Sequence, residues 1–198
     1  MKKIISLLLV LVIAISITAC NNSNDNNGET LRLDVKELKK TWQEGELVFA
    51  NKESVTLPCS IDEIVEKSGL SVQNADLINK VLLPNESYTV NLVGDETYIS
   101  IKCKNTTKED LNYADSTVIG YTITNMKTGN RAIKFAGTLT AGVVRDDVEK
   151  ALKLPENTTN EDVMYTYKGK NSANKDVELR VTFNSDDIVN SVAFKVDA

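Results

Sequence analysis

The sequence predicts an α+β protein in which short helices pack on antiparallel sheet. Two observations carry this. Segments of apolar–polar alternation recur along the chain, and each of two amphipathic helix patterns is followed by three of them. A third is the likeness of the two halves: "VTLPCSIDEIVEK" aligns with "GTLTAGVVRDDVEK", and "YISIKCKN" with "VELRVTFN". The matched pieces lie about 80 residues apart, which predicts two tandem units, each a short helix on a small antiparallel sheet. Their expected bounds are 31–126 and 127–198.

Ahead of them stands a different kind of segment. Lys2 and Lys3 precede a nearly continuous apolar run from Ile4 to Ile17. That run falls short of the about 20 residues needed to span a bilayer, and residues 1–19 read as a secretory signal peptide. "ITAC", Ile17 to Cys20, looks like the lipobox of bacterial lipoproteins. The resemblance implies a diacylglycerol on the Cys20 thiol, with cleavage making Cys20 the first residue of the mature protein. Each buried methylene contributes about 0.8 kcal/mol, and two or more acyl chains anchor a protein stably. The alternative is a membrane helix or plain signal peptide with Cys20 unmodified. Residues 20–30 have no apolar side chain after Cys20 and predict a flexible tether. Asp25, Asn27 and Gly28 are spaced like part of a calcium loop. Ser23 and Asp34 occupy its first and last ligand positions, so no metal is expected there.

The elements follow in order. "LDVKELKKTWQEG" reads as a short helix capped by Asp34, with Glu37 three residues on, Val35, Leu38 and Trp42 on one face and a stop at Gly45. "LVFANKESVTL" reads as extended chain turning at Asn51-Lys52. Ser60 and Glu63 form a capping box before the stripe Ile61, Ile64 and Val65, and Gly69 suits the C-terminal cap. "YTVNLV", "TYISIKCKN" and "STVIGYTITNM" alternate as strands. In the second half, "RAIKFAGTLTAG" reads as extended, and Val144, Val148, Ala151 and Leu152 line a helix face. Asp146 and Asp147 sit in its first turn, where the helix dipole favours anions. "DVMYTYKGK", "DVELRVTFN" and "DIVNSVAFKVD" complete the series.

Composition limits the chemistry. The chain of 198 residues is acidic, with a net charge of -5, and has no basic cluster beyond its first lysines, which disfavours nucleic acid. Histidine is absent. That removes the Ser-His-Asp and Cys-His nucleophile systems and the commonest zinc ligand. No cofactor is expected. The adjacent Asp146 and Asp147 diverge by about 100° on a helix, so they make a poor acid/base pair.

Two sets of residues stand out as candidate sites. Cys59 and Cys103 form an even pair in an exported domain, which invites a disulfide closing a loop of about 44 residues. Two buried free thiols are the alternative. Tyr165 and Tyr167 share a strand face and offer a contact patch, or else pack a helix onto the sheet. Asn-x-Ser/Thr motifs at Asn85, Asn105 and Asn157 match a glycosylation pattern that does not suit a bacterial lipobox.

The segment "FAGTLTAGVVRDDVEKALKLP" and the strands after it resemble the helix-plus-sheet unit of small envelope-assembly lipoproteins and of beta-lactamase inhibitory protein, in which two such units stand in tandem. Residues 46–198 are also similar to a group of lipoproteins of Gram-positive anaerobes. The shared motifs are "LPC" at Leu57 to Cys59, "IGY" at Ile119 to Tyr121, "GVVRDDV" at Gly142 to Val148 and "YTY" at Tyr165 to Tyr167. Val144 departs from that pattern, which has Ser or Thr as the helix cap. Neither group is defined by catalytic residues, so the resemblance implies a fold and no activity.

The expectation is a membrane-anchored, extracytoplasmic module that binds rather than catalyses. Its partner is expected to be an envelope or extracellular protein, with a cell-wall polymer second, and inhibition of an extracellular enzyme is one form of this. A structural or assembly factor of the envelope is the alternative, and a carboxylate-based hydrolase is third.

Overall fold

In the computed structural model, residues 31–74, 80–94, 96–124, 131–156, 158–159, 161 and 163–197 are described. The signal peptide, Cys20, the tether and the Asp25–Gly28 motif lie outside the described residues. Helix α1 (Val35–Thr41) starts where the Asp34 carboxylate accepts from the amides of Lys36 and Glu37 at 3.1 and 3.0 Å. It ends through a 3-10 turn at Gly45, whose φ of 65° is left-handed. The hairpin of β1 (Leu47–Val48) and β2 (Ser54–Val55) turns at Asn51-Lys52, as expected, with Lys52 at φ 72°.

Strand β3 (Cys59–Ser60) leads into α2 (Ile61–Ser68). Ser60 Oγ accepts from the Glu63 amide at 3.1 Å, and the Gly69 amide donates back to Val65 at 3.0 Å. The short strands β4 (Ser71–Val72) and β5 (Val81–Leu82) follow. Then come β6 (Ser87–Val93), β7 (Tyr98–Lys104), β8 (Leu111–Asn112) and β9 (Thr117–Thr124).

The segment expected to be extended around residue 135 is strand only at β10 (Lys134–Phe135). Ala136 and Gly137 adopt φ values of 49° and 68° and reverse the chain, so that Phe135 and Leu139 exchange backbone hydrogen bonds. Helix α3 (Arg145–Leu152) begins at Val144 without a side-chain cap. The Arg145 amide donates to the Asp187 carbonyl at 2.8 Å. Strands β11 (Met164–Lys170), β12 (Asp176–Phe183) and β13 (Val189–Val196) close the chain.

The protein is α+β, but two separate small sheets do not form. The meanders β6-β7-β9 and β11-β12-β13 merge into one sheet ordered β11-β12-β13-β9-β7-β6-β4, and β3 continues along the free end of β9. They join through their last strands, with Val192 opposite Ile123 and Phe194 opposite Tyr121. Each last strand would otherwise present a row of unpaired backbone groups. Pairing them satisfies both edges at once.

Register then aligns apolar side chains across the whole sheet. One row runs Tyr165, Val181, Val192, Ile123, Ile99, Leu92, and every member is 0% exposed. The next runs Tyr167, Leu179, Phe194, Tyr121, Ile101, Val90, also buried. Buried side chains of α1, α2, α3 and the three-stranded sheet β10-β1-β2 join these rows in one core. Phe135 of β10 sits 5.3 Å from Phe194, centroid to centroid. Side chains alternate across a strand, so the opposite face is the other half of each pattern.

Candidate functional site

That opposite face is the candidate site. Its residues come from alternate positions of six long strands and fall into two rows. The first is Thr166, Arg180, Ala193, Thr122, Ser100, Asn91, and the second is Lys168, Glu178, Lys195, Gly120, Lys102, Thr89. The centre is made of small side chains because the two meanders meet there. A Cβ at Gly120 would lie 2.9 Å from the carbonyl oxygen of Phe194, so the β9–β13 seam leaves no room for one. Gly120, Ala193, Ser100 and Thr122 thus floor a shallow open depression of about 320 Å³.

Charge surrounds this floor. Glu178 bonds to Arg180 Nε at 2.7 Å and to Lys195 Nζ at 3.5 Å, and it is the more buried partner of both. Lys102 is exposed on the other side of Gly120. Further along β11 and β12, Lys170 pairs with Asp176 at 2.9 Å. On the β4 side, Asn91 is bonded to Gln73 at 3.1 Å and accepts from Ser100 Oγ at 3.0 Å. These bonds fix side chains that face solvent, and the surface is ordered without being apolar.

The predicted site residues lie elsewhere. Tyr165 and Tyr167 are a correction: they do not form a contact face, being 0% and 8% exposed under α3. The Tyr165 hydroxyl donates to Glu149 Oε1 at 2.6 Å and accepts from Arg145 Nη1 at 3.2 Å. The Tyr167 hydroxyl donates to the Lys153 carbonyl at 3.0 Å. Their polar ends hold the helix on the sheet. Arg145 is buried, bridges to Asp187 at 2.9 Å and lies 4.4 Å over the Phe183 ring. Nothing in the local pattern distinguishes it from a solvated arginine.

The disulfide is the second correction. Cys59 and Cys103 are free thiols. Both stand opposite Val118, Cys59 on one side of β9 and Cys103 on the other. Two strand spacings separate them by about 9–10 Å, beyond the about 7 Å that a disulfide tolerates between Cα atoms. Burial pushes the Cys59 thiol up to about 12 and the Cys103 thiol up to about 11, which favours the protonated form of both at neutral pH.

Asp146 and Asp147 form no paired centre: Asp146 is exposed, while Asp147 accepts from Lys150 at 3.0 Å within the same helix. Asn105 is fully buried and donates to the Leu82 and Glu109 carbonyls, so its motif carries loop structure. Among the described residues no group of three or more acidic or thiol side chains is placed to hold a metal ion. Among the described residues no helix is long and apolar enough to cross a membrane. Compared with protein-family models, curated proteins and solved structures, the chain matches none.

Proposed function

We propose that this chain is an extracytoplasmic lipoprotein that holds a partner protein on the open face of its sheet and catalyses no reaction. The observation that carries the reading is the asymmetry of the sheet. Among the described residues one face is sealed by helices and the small β10-β1-β2 sheet, whereas the other crosses both meanders uncovered, with a depression where they join. Six long strands at about 4.8 Å, with seven to eight residues at about 3.3 Å each, give a face of about 29 by 24 Å. That is about 700 Å², close to the about 800 Å² that each partner buries in a standard interface. We read the two meanders as copies of one plan, because each follows a helix and each meets the other through its last strand. The anchor rests on the sequence alone: the apolar run, the small residues and Cys20 occur in the order a lipobox requires.

Two measurements test the reading. A photo-crosslinking amino acid at Thr122 should trap one dominant protein in intact cells, and the same group at Lys39, on exposed α1, should not. Equal adducts from both positions, or none from Thr122, would refute the choice of face. A palmitate analogue should label the wild-type chain, and Cys20→Ala should abolish labelling. Persistent label on that variant would sink the anchor.

A further inference from the structure

The open face is positive although the protein is acidic. Lys102, Lys104, Lys168, Lys170, Arg180 and Lys195 all stand on the positions that alternate with the core, against Asp176, Glu178 and Asp197 among the same rows. The chain as a whole has a formal charge of -5. Cations have therefore been gathered on one surface while the acidic surplus lies elsewhere. The depression shows the same bias at short range, since Lys102, Arg180 and Lys195 border it with Glu178 as the one carboxylate.

We propose that the partner held on this face is an acidic protein surface that places a convex, carboxylate-bearing loop over Gly120. This rests on the reading of the face as a docking surface and supplies the chemistry of what docks. The size of the face favours a folded protein over a single polymer strand, because about 700 Å² matches a standard protein interface. The floor favours a protruding loop: the small residues Gly120 and Ala193 keep it low between the charged side chains, and the Thr122 and Thr89 hydroxyls can donate to the loop's carbonyl or carboxylate oxygens. Electrostatic complementarity of this kind raises the association rate and suppresses wrong partners. Glu178 acts as a resident anion. It holds Arg180 and Lys195 upright and competes with the carboxylates of the incoming loop.

The test uses the full chain in detergent, with glutamate and lysine decapeptides as probes and phosphatidylglycerol vesicles and glycerol-phosphate polymer as separate arms. Titration with the glutamate peptide should shift the amide signals of Lys102, Gly120, Thr122 and Ala193, and the effect should fade as salt rises through the range where the Debye length drops below about 8 Å. The lysine peptide should leave them unmoved. A Lys102→Glu/Arg180→Glu variant should weaken binding by about tenfold, with Lys39→Glu as the unaffected control. Glu178→Gln should strengthen it by about threefold, an effect that a merely structural carboxylate would not produce. Preference for the vesicles or the phosphate polymer over the peptide would overturn the assignment to protein. So would a glutamate affinity indifferent to both variants. If Thr122 traps a protein in cells while these charge tests fail, the face binds but its partner is not acidic. If Thr122 traps nothing, the docking surface itself has been misplaced.

Discussion

Replacing Tyr165 by Phe removes one oxygen atom and tests whether this tyrosine is a core bolt or a contact residue. The ring keeps its place in the row with Val181 and Val192, so no cavity opens. The loss is confined to two hydrogen bonds, the donation to Glu149 at 2.6 Å and the acceptance from Arg145 at 3.2 Å. Bonds to charged partners contribute about 1.5–3 kcal/mol each when buried. Glu149 is only half-buried and regains water, whereas Arg145 stays buried and keeps Asp187 and the Phe183 ring. The expected cost is therefore about 2 kcal/mol, nearer one full bond than two. For a chain of this size, that lowers Tm by about 4–8 °C. Urea unfolding should show the midpoint falling with an unchanged slope, because the surface exposed on unfolding is the same. A change below about 0.5 kcal/mol would refute the network. Unchanged stability with weakened partner capture would restore Tyr165 to a contact role.

The helix caps offer a paired test. Ser60→Ala should cost about 1 kcal/mol by freeing the Glu63 amide, whereas Val144→Thr should add about 0.5–1 kcal/mol by capping α3 at a position already extended, at φ -77° and ψ 146°. Both are read by chemical denaturation, and a loss on Val144→Thr would mean that the Val144 packing outweighs the cap. The thiols predict an alkaline limb. Both folded values are raised above the 9.0 of a free thiol, so the folded chain keeps protons that the unfolded chain releases. Their contribution is complete below about pH 9 and is lost as pH climbs toward about 11 for Cys103 and 12 for Cys59. A Cys59→Ala/Cys103→Ala variant should lose less stability than wild type between about pH 8 and 10.5, and parallel curves would exclude this linkage. The same burial predicts that neither thiol reacts with iodoacetamide until the chain unfolds, and rapid alkylation of the folded protein at either would contradict it.

Much of the architecture was legible in the sequence because it is set by neighbours a few residues apart. Asp34 and Ser60 announce helices through hydrogen bonds to amides two and three positions on. The period of two in "YISIKCKN" or "VELRVTFN" shows which side chains share a face. It does not show which face the rest of the protein covers. For Tyr165 and Tyr167 the period placed them together correctly, but their exposure depended on where α3 lands. The site was less legible still. Gly120, Ala193 and Thr122 look unremarkable in the sequence, and they become a floor only because β9 and β13 meet.

By itself, then, the sequence determined the α+β class, the helix starts and the strands of both meanders. Each of these depends on short-range hydrogen bonding or local hydrophobic period. Only the tertiary structure decided that the meanders form one sheet, that Arg145 is buried, that β9 separates Cys59 from Cys103, and that the cations gather on one open face. Those facts arise from contacts between distant segments, as between Ile123 and Val192, where edge strands satisfy their backbone groups, and between Arg145 and Asp187. No window along the chain contains both partners.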